Sequence, residues 1–402
     1  MPAEQPRETA RTAVQFGAGN IGRGFLAQLF HESGLEVVFV DVVRPVVEAL
    51  NLRREFPIHI VGPRAETVRI ENVRAVFAGE TDRVADEVAR AEIVCTAVGA
   101  NAIRALAPGI AAGLSRRLRT DPRPLNVLLC ENLHDAAAVL RAAVAENLPE
   151  RERDAVLAST GFVQAVVSRM VPVQTEADIA ADLLAVRVEA YKRLPIDGQA
   201  IAGVLPDIVG FEPVSNFEAY VERKLYVHNC LHAVLGYAGH AAGYTYGYEA
   251  IEDTEVWALM SAVMAETTAA LHRRHGFDPA ALQAHAADLL ERFRNRDLGD
   301  TCRRLARDPI RKLAGDDRLV GAARLCESEA IQYDALLRAI ALALGYEDPN
   351  DDSACTLQRS LRDEGLEATL QQVCGIGPRE RLAADIRNAL QNLVHIPGFP
   401  GT

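Results

Sequence analysis

Three glycines at a fixed spacing constrain the start of this chain more than any other feature. The apolar run Val14-Gln15-Phe16 leads directly into Gly17-Ala18-Gly19-Asn20-Ile21-Gly22-Arg23-Gly24. A Gly-x-Gly-x-x-Gly is thereby set between a strand and the residues that open a helix. Each glycine then contributes something different. Gly17 permits a tight turn, Gly19 lets a ligand phosphate approach the backbone, and Gly22 lets helix and strand pack closely. The free N–H groups at the helix start suit an anion. A second short strand ends at Asp41, about 20 residues past the last glycine, where a carboxylate can accept hydrogen bonds from ribose hydroxyls. Phe16, Gly17, Ala18, Gly19, Asn20, Ile21, Gly22 and Asp41 are the expected cofactor contacts. NAD is the expected dinucleotide, because a 2′-phosphate would meet the charge of Asp41, although Arg44 keeps NADP open.

The segments 14–16, 37–40, 93–98 and 125–129 are short, mostly apolar and bounded by Gly, Asp, Asn or Glu, as strands buried on both faces are. Residues 21–33 and 83–91 read as helices between them. This alternation predicts a parallel sheet covered by helices. The strand over 91–99 points its carboxyl end at the same crevice, so Thr96 and Gly99 are further candidate cofactor contacts. After about residue 210 long Ala/Leu/Arg/Glu stretches with helical periodicity take over. The segment 183–204 has a strand-like start over 184–188 and then Pro195, Gly198 and Gly203, which mark it as the junction. The expected architecture is α/β: a Rossmann-like doubly wound domain over 1–200, a mostly α-helical substrate domain over 201–402, and an active site in the cleft between them. With 49% hydrophobic residues the chain can fill two cores. An Asp/Asn-rich stretch at 347–353 reads as a turn.

Charge and composition exclude several classes. Forty-three Lys+Arg against 55 Asp+Glu give −12 without a basic run, which argues against a sequence-independent grip on nucleic acid. The apolar stretches are far shorter than the roughly 20 residues that cross a bilayer, so no membrane partner is expected. Residues 1–12 are polar, contain Glu4 and Glu8, and read as a frayed leader rather than a secretory signal. Seven scattered cysteines without a Cys-x-x-Cys pair read as reduced thiols in a cytoplasmic protein, and no short ligand spacing announces a metal site.

In the helical half, Lys224, Asn229 and His232 punctuate a partly apolar stretch. On an α-helix Asn229 lies about 140° and His232 about 80° round from Lys224, with an axial spread of about 12 Å, so one sugar-sized ligand could touch all three. Oxidising a secondary alcohol needs a base for the hydroxyl proton, which a desolvated lysine can provide. Asparagine amides can donate to the developing alkoxide and a histidine can hold a neighbouring hydroxyl. The alternative is a surface lysine beside satisfied core polars. Asn132 follows the strand 125–129 at its carboxyl end, where open α/β sheets bind ligands, and equally could just end the strand.

Gly17-Ala18-Gly19-Asn20-Ile21-Gly22-Arg23-Gly24, Cys130-Glu131-Asn132, the Lys224, Asn229 and His232 spacing and Arg311-Lys312-Leu313 together resemble the polyol-specific long-chain dehydrogenases, the mannitol dehydrogenase family. The likeness extends to Glu222-Arg223-Lys224-Leu225 and Asp316-Asp317-Arg318-Leu319 and covers nearly the whole chain. It implies an NAD-dependent, metal-independent enzyme interconverting D-mannitol 1-phosphate and D-fructose 6-phosphate. It further implies that Lys224 is the general base, that Asn132 and Asn229 bind the reacting oxygen, and that His232 orients a sugar phosphate substrate. The cations of Arg307-Asp308-Pro309-Ile310-Arg311-Lys312-Leu313 suit a phosphate monoester, with Arg311 and Lys312 as its expected ligands and a solvated helix face as the alternative. The chain departs from the family at Asn295-Arg296, where proline usually follows the asparagine, and at His228, Cys230 and Leu231. These departures leave another polyol phosphate open as substrate, and the runner-up within the family is an oxidoreductase of a free polyol or a hexuronate. A competitor of another class is an NAD-binding regulatory protein without turnover, which would have no need of Lys224, Asn229 and His232 in register.

Overall fold

The structure, a computed structural model, describes residues 11–393 apart from His134 and Val173. The leader reading therefore falls, up to residue 10, outside the described residues. The chain divides into two compact units, Met1–Phe217 and Glu218–Thr402.

The first unit is built on a six-stranded sheet of β1 (Thr12–Phe16), β2 (Glu36–Asp41), β5 (Val73–Phe77), β6 (Ile93–Thr96), β7 (Leu125–Leu129) and β8 (Thr160–Gln164). Their order is β5-β2-β1-β6-β7-β8 and every neighbouring pair is parallel. Parallel strands need crossover segments, which place helices on both faces and make the strands apolar throughout. All five residues of β1 are buried, and along β2 Val37 and Phe39 join one core while Val38 and Val40 join the other. The order runs outward from β1 in both directions, so the crevice for a ligand opens at the carboxyl ends of β1 and β6. Register aligns those ends: Phe16 lies opposite Val40 and Thr96, and Thr96 opposite Leu129.

Two small sheets complete this unit. One joins β3 (Glu55–Ile60) to β4 (Glu66–Glu71) and β9 (Val186–Val188); the other pairs β10 (Leu194–Asp197) with β11 (Phe211–Val214). The expected junction at 183–204 thus lies inside the first unit, and the division comes later than residue 200. The reason is β11: its parallel pairing with β10 returns 211–214 to the first unit. The expected helix over 21–33 is two pieces, a π-helical turn Gly22–Leu26 followed by Ala27–Glu32.

The second unit is helical. A continuous helical run passes from Phe217–Arg223 through a π-helical turn, Lys224–Asn229, into Cys230–Ala241. The helix Thr254–His275 begins under Asp253, whose carboxylate accepts from the N–H groups of Glu255 and Val256 at 2.9 and 3.1 Å, and ends at Gly276 with φ +69°. Pro279–Phe293 starts the same way, with Asp278 as cap and a proline in its first turn. No described helix is long and apolar enough to cross a membrane.

Candidate active site

The glycine loop is set by contacts that leave no room for larger residues at two of its three glycines. Gly17 has φ +90°, and a Cβ there would stand 2.4 Å from the Ala97 carbonyl oxygen; a Cβ on Gly22 would stand 2.0 Å from that of Gly17. At Gly19 an added Cβ meets nothing within 4 Å. Two glycines therefore close the turn, and the third leaves open space beside exposed backbone, as a pyrophosphate requires. The helical turn that follows begins at Asn20, so its first N–H groups are available to the same anion. Asn20 and Ile21 are partly exposed, whereas Phe16 and Ala18 are buried.

Side chains brace this loop. Asp41 accepts from the N–H of Ala18 at 2.6 Å and of Val43 at 2.8 Å. Arg23, not foreseen as a site residue, is buried and donates Nε to the Ala18 carbonyl at 2.6 Å and Nη1 to that of Leu183 at 2.8 Å. Burial pulls its pKa down to about 10, against the raising effect of Asp41 and Asp182. The only sequence signal for Arg23 is its place between Gly22 and Gly24. Glu131, also missed, accepts from the N–H groups of Val98 and Gly99 at 2.9 and 2.8 Å and so fixes the loop after β6. Asn132 next to it is exposed. Thr96 is fully buried with Oγ1 inside the protein, so its side chain does not line open space; Gly99, three residues on, is exposed. Arg44 lays its guanidinium 3.8 Å over the Phe77 ring. The cradle fits a dinucleotide: open at Gly19, rich in free N–H groups, and carrying a carboxylate at the end of β2.

In the second unit the lysine turn departs from the geometry expected for an α-helix. The π-helical bonding of Lys224–Asn229 spans five residues instead of four. Residues five apart, such as Lys224 and Asn229, are thereby drawn toward one line. His232 follows Asn229 by three positions on the α-helical continuation, where such pairs are neighbours. The turn thus gathers the expected trio on one face. Desolvation, followed by the positive field of Arg318, lowers the Lys224 ammonium to about 8. Desolvation and then Arg304, Arg292, Arg318 and Lys312 push His232 down to about 3, so its imidazole is neutral.

The two expected phosphate ligands are separated by burial. Arg311 is exposed and gives Nε to Asp308 at 2.8 Å, with Asp317 at 3.9 Å. Lys312 is buried, donates to the Arg307 carbonyl, and is lowered to about 7 by desolvation, Arg318, Arg311 and Arg307, with Asp308 opposing. The turn before them is held from the Asp/Asn-rich segment: Asp351 accepts from the N–H of Asp308 at 2.8 Å and Ser353 Oγ from that of Ile310 at 3.1 Å. Arg318, buried and held by Asp317 at 2.7 Å, acts on Lys224, His232 and Lys312 alike. The sequence places Arg318 in a family motif but gives it no role, because residue types alone do not show what it faces. Among the described residues no group of three or more His, Cys, Asp or Glu is placed to hold a metal ion.

Residues 11–210 match the mannitol dehydrogenase Rossmann domain and residues 216–394 the mannitol dehydrogenase C-terminal domain. The chain belongs to the mannitol dehydrogenase family. It is 37% identical over 381 residues to the mannitol-1-phosphate 5-dehydrogenase of Brevibacillus brevis, which covers 95% of this chain and 98% of that one. As a member of this family it is an NAD-dependent oxidoreductase. Two solved structures share the fold. Mannitol 2-dehydrogenase of Pseudomonas fluorescens, in complex with NAD and D-mannitol, has a TM-score of 0.72 at 19% identity and covers 96% of this chain and 92% of its own. A substrate-free D-sorbitol dehydrogenase has a TM-score of 0.80 at 17% identity, covering 97% and 95%.

Proposed function

We propose that this member of the mannitol dehydrogenase family interconverts D-mannitol 1-phosphate and D-fructose 6-phosphate. The observation that carries the reading is a set of cations, Arg304, Arg292, Arg318 and Lys312, whose fields reach His232, the three arginines being anchored by Asp300, Asp288 and Asp317. A phosphate monoester needs charge-assisted donors of this kind, and a free polyol does not. The activity named for the Brevibacillus relative supports the same substrate.

Bound NAD supplies the hydride acceptor and donor at its nicotinamide ring, and Gly17, Ala18, Gly19, Asn20, Ile21, Gly22 and Asp41 would hold it. Lys224 Nζ takes the hydroxyl proton when the polyol is oxidised and returns it to the oxygen on C2 when the ketose is reduced. Asn132 and Asn229 donate to that oxygen as charge develops on it. His232 holds a neighbouring hydroxyl. Lys312 and Arg311 serve the phosphate, Lys312 from a buried position and Arg311 from the surface. Seven cysteines, all free thiols, suit the reducing cytoplasm.

The test is NADH consumption by the purified protein with fructose 6-phosphate and, separately, with fructose, EDTA being present. Oxidation with the phosphate ester alone is expected. Equal activity on fructose would remove the phosphate reading, and NADH binding without turnover on either sugar or on other phosphorylated ketoses would make the chain a cofactor-binding protein.

A further inference from the structure

His228 lies in the lysine turn, four residues after Lys224, and the proposed mechanism leaves it unused. It is 5% exposed, and its Nδ1 is buried with no hydrogen-bond partner among the described residues. The rings around it explain its place. His232 stacks on Phe293 with centroids 4.2 Å apart and planes 16° from parallel. His228 stands edge-on to both, 5.2 Å from His232 at 79° and 6.0 Å from Phe293 at 83°. Standing at nearly equal distances from two rings that are themselves in contact, His228 flanks the stack rather than capping it. One face of the His232 imidazole is thereby covered by Phe293 and one side flanked by His228. A simple hydrocarbon core would not leave a ring nitrogen buried and unpaired, since that costs stability.

We infer that His228 is a positioning residue: together with Phe293 it holds the His232 ring in the single orientation that presents a nitrogen to the substrate hydroxyl. This rests on the reading that His232 binds substrate. The role is passed through one neighbour, so it is expressed in substrate binding and not in the lysine's proton transfer.

The experiment is steady-state kinetics of fructose 6-phosphate reduction in His228→Ala, His228→Phe, His232→Asn and the double variant His228→Ala/His232→Asn, with thermal unfolding recorded for each. A hydrogen bond to substrate that is no longer well aimed costs up to about tenfold in binding. His228→Ala is accordingly expected to raise KM for the sugar phosphate by about tenfold, with kcat and the KM for NADH within about twofold. His228→Phe, which keeps a flanking ring and gives a variant that stays packed if the alanine variant does not, is expected to restore most of the loss. In the His232→Asn background the added His228→Ala change is expected to contribute nothing, because the ring it positions is gone. A raised KM in His232→Asn with an unchanged KM in His228→Ala overturns the positioning role alone, as does a full additional tenfold in the double variant. An unchanged KM in His232→Asn overturns the role of His232 and that of His228 with it.

Discussion

Each candidate site of this chain adjoins a π-helical turn, Gly22–Leu26 in the first unit and Lys224–Asn229 in the second, yet the two are made of different material. The first is a backbone site. Its selectivity resides in where a Cβ is forbidden, at Gly17 and Gly22, and where open space is left, at Gly19. The second, as proposed, is a side-chain site, whose chemistry would come from desolvation and from cations of other segments, Arg318 for Lys224 and Arg304, Arg292 and Arg318 for His232. A backbone site needs particular residue types at particular spacings. A side-chain site needs a tertiary environment, which lowers the pKa of a lysine without changing its name in the sequence.

The contrast is broken most directly at Lys224. Lys224→Ala should cost about 10²–10⁴ in kcat, the usual contribution of a positioned general base, while NADH binding, followed by its fluorescence, stays as in the parent. Near-normal turnover in that variant would sink the assignment. The glycines give the next largest effects and separate two kinds of damage. Gly22→Ala forces a Cβ to within 2.0 Å of a carbonyl oxygen and should lower both stability, by about 1–3 kcal/mol as overpacking does, and NADH affinity. Gly19→Ala meets no protein atom, so unfolding should be unchanged within about 0.5 kcal/mol while NADH affinity falls. Equal stability losses in the two variants would contradict the division of labour.

Arg318→Gln probes the environment rather than the base. Arg318 lowers the Lys224 pKa, so its removal should move the rising limb of the oxidation profile to higher pH. The smallest effect is expected at Arg311. It is exposed and already paired with Asp308, and exposed pairs contribute little, so Arg311→Ala should raise KM for fructose 6-phosphate by less than Lys312→Ala does. An unchanged KM in Arg311→Ala would remove Arg311 from the phosphate site.

The same contrast decides what could be read beforehand. The strands ending at Phe16, Asp41 and Leu129 were legible because burial on both faces imposes apolar runs, and the loop was legible because only glycine fits at Gly17 and Gly22. The strands β3 and β4 were not. β3 alternates buried and partly buried residues against β4, which is mostly exposed, so neither forms an apolar run. Lys224, Asn229 and His232 were found by spacing and by family likeness, but the π-helical turn that aligns the first two has no signature in residue type. Arg311 and Lys312 looked equivalent as adjacent cations. Only packing shows that one is paired at the surface and the other buried beside Tyr237, with Nζ 6.0 Å from its ring. Arg23 and Glu131 were passed over because their partners are backbone groups, which a sequence does not display.

On the proposed mechanism, desolvation makes Lys224 the proton acceptor. The most direct test is the pH dependence of kcat/KM for D-mannitol 1-phosphate oxidation, recorded beside that of fructose 6-phosphate reduction. Oxidation needs the neutral amine, so its rate should rise with pH and level off above about 8, whereas reduction needs the ammonium and should fall above the same value. Opposed limbs crossing near that pH are the predicted result. An oxidation profile that is flat through this region, or that breaks only near the ordinary lysine value of about 10.4, would contradict the account.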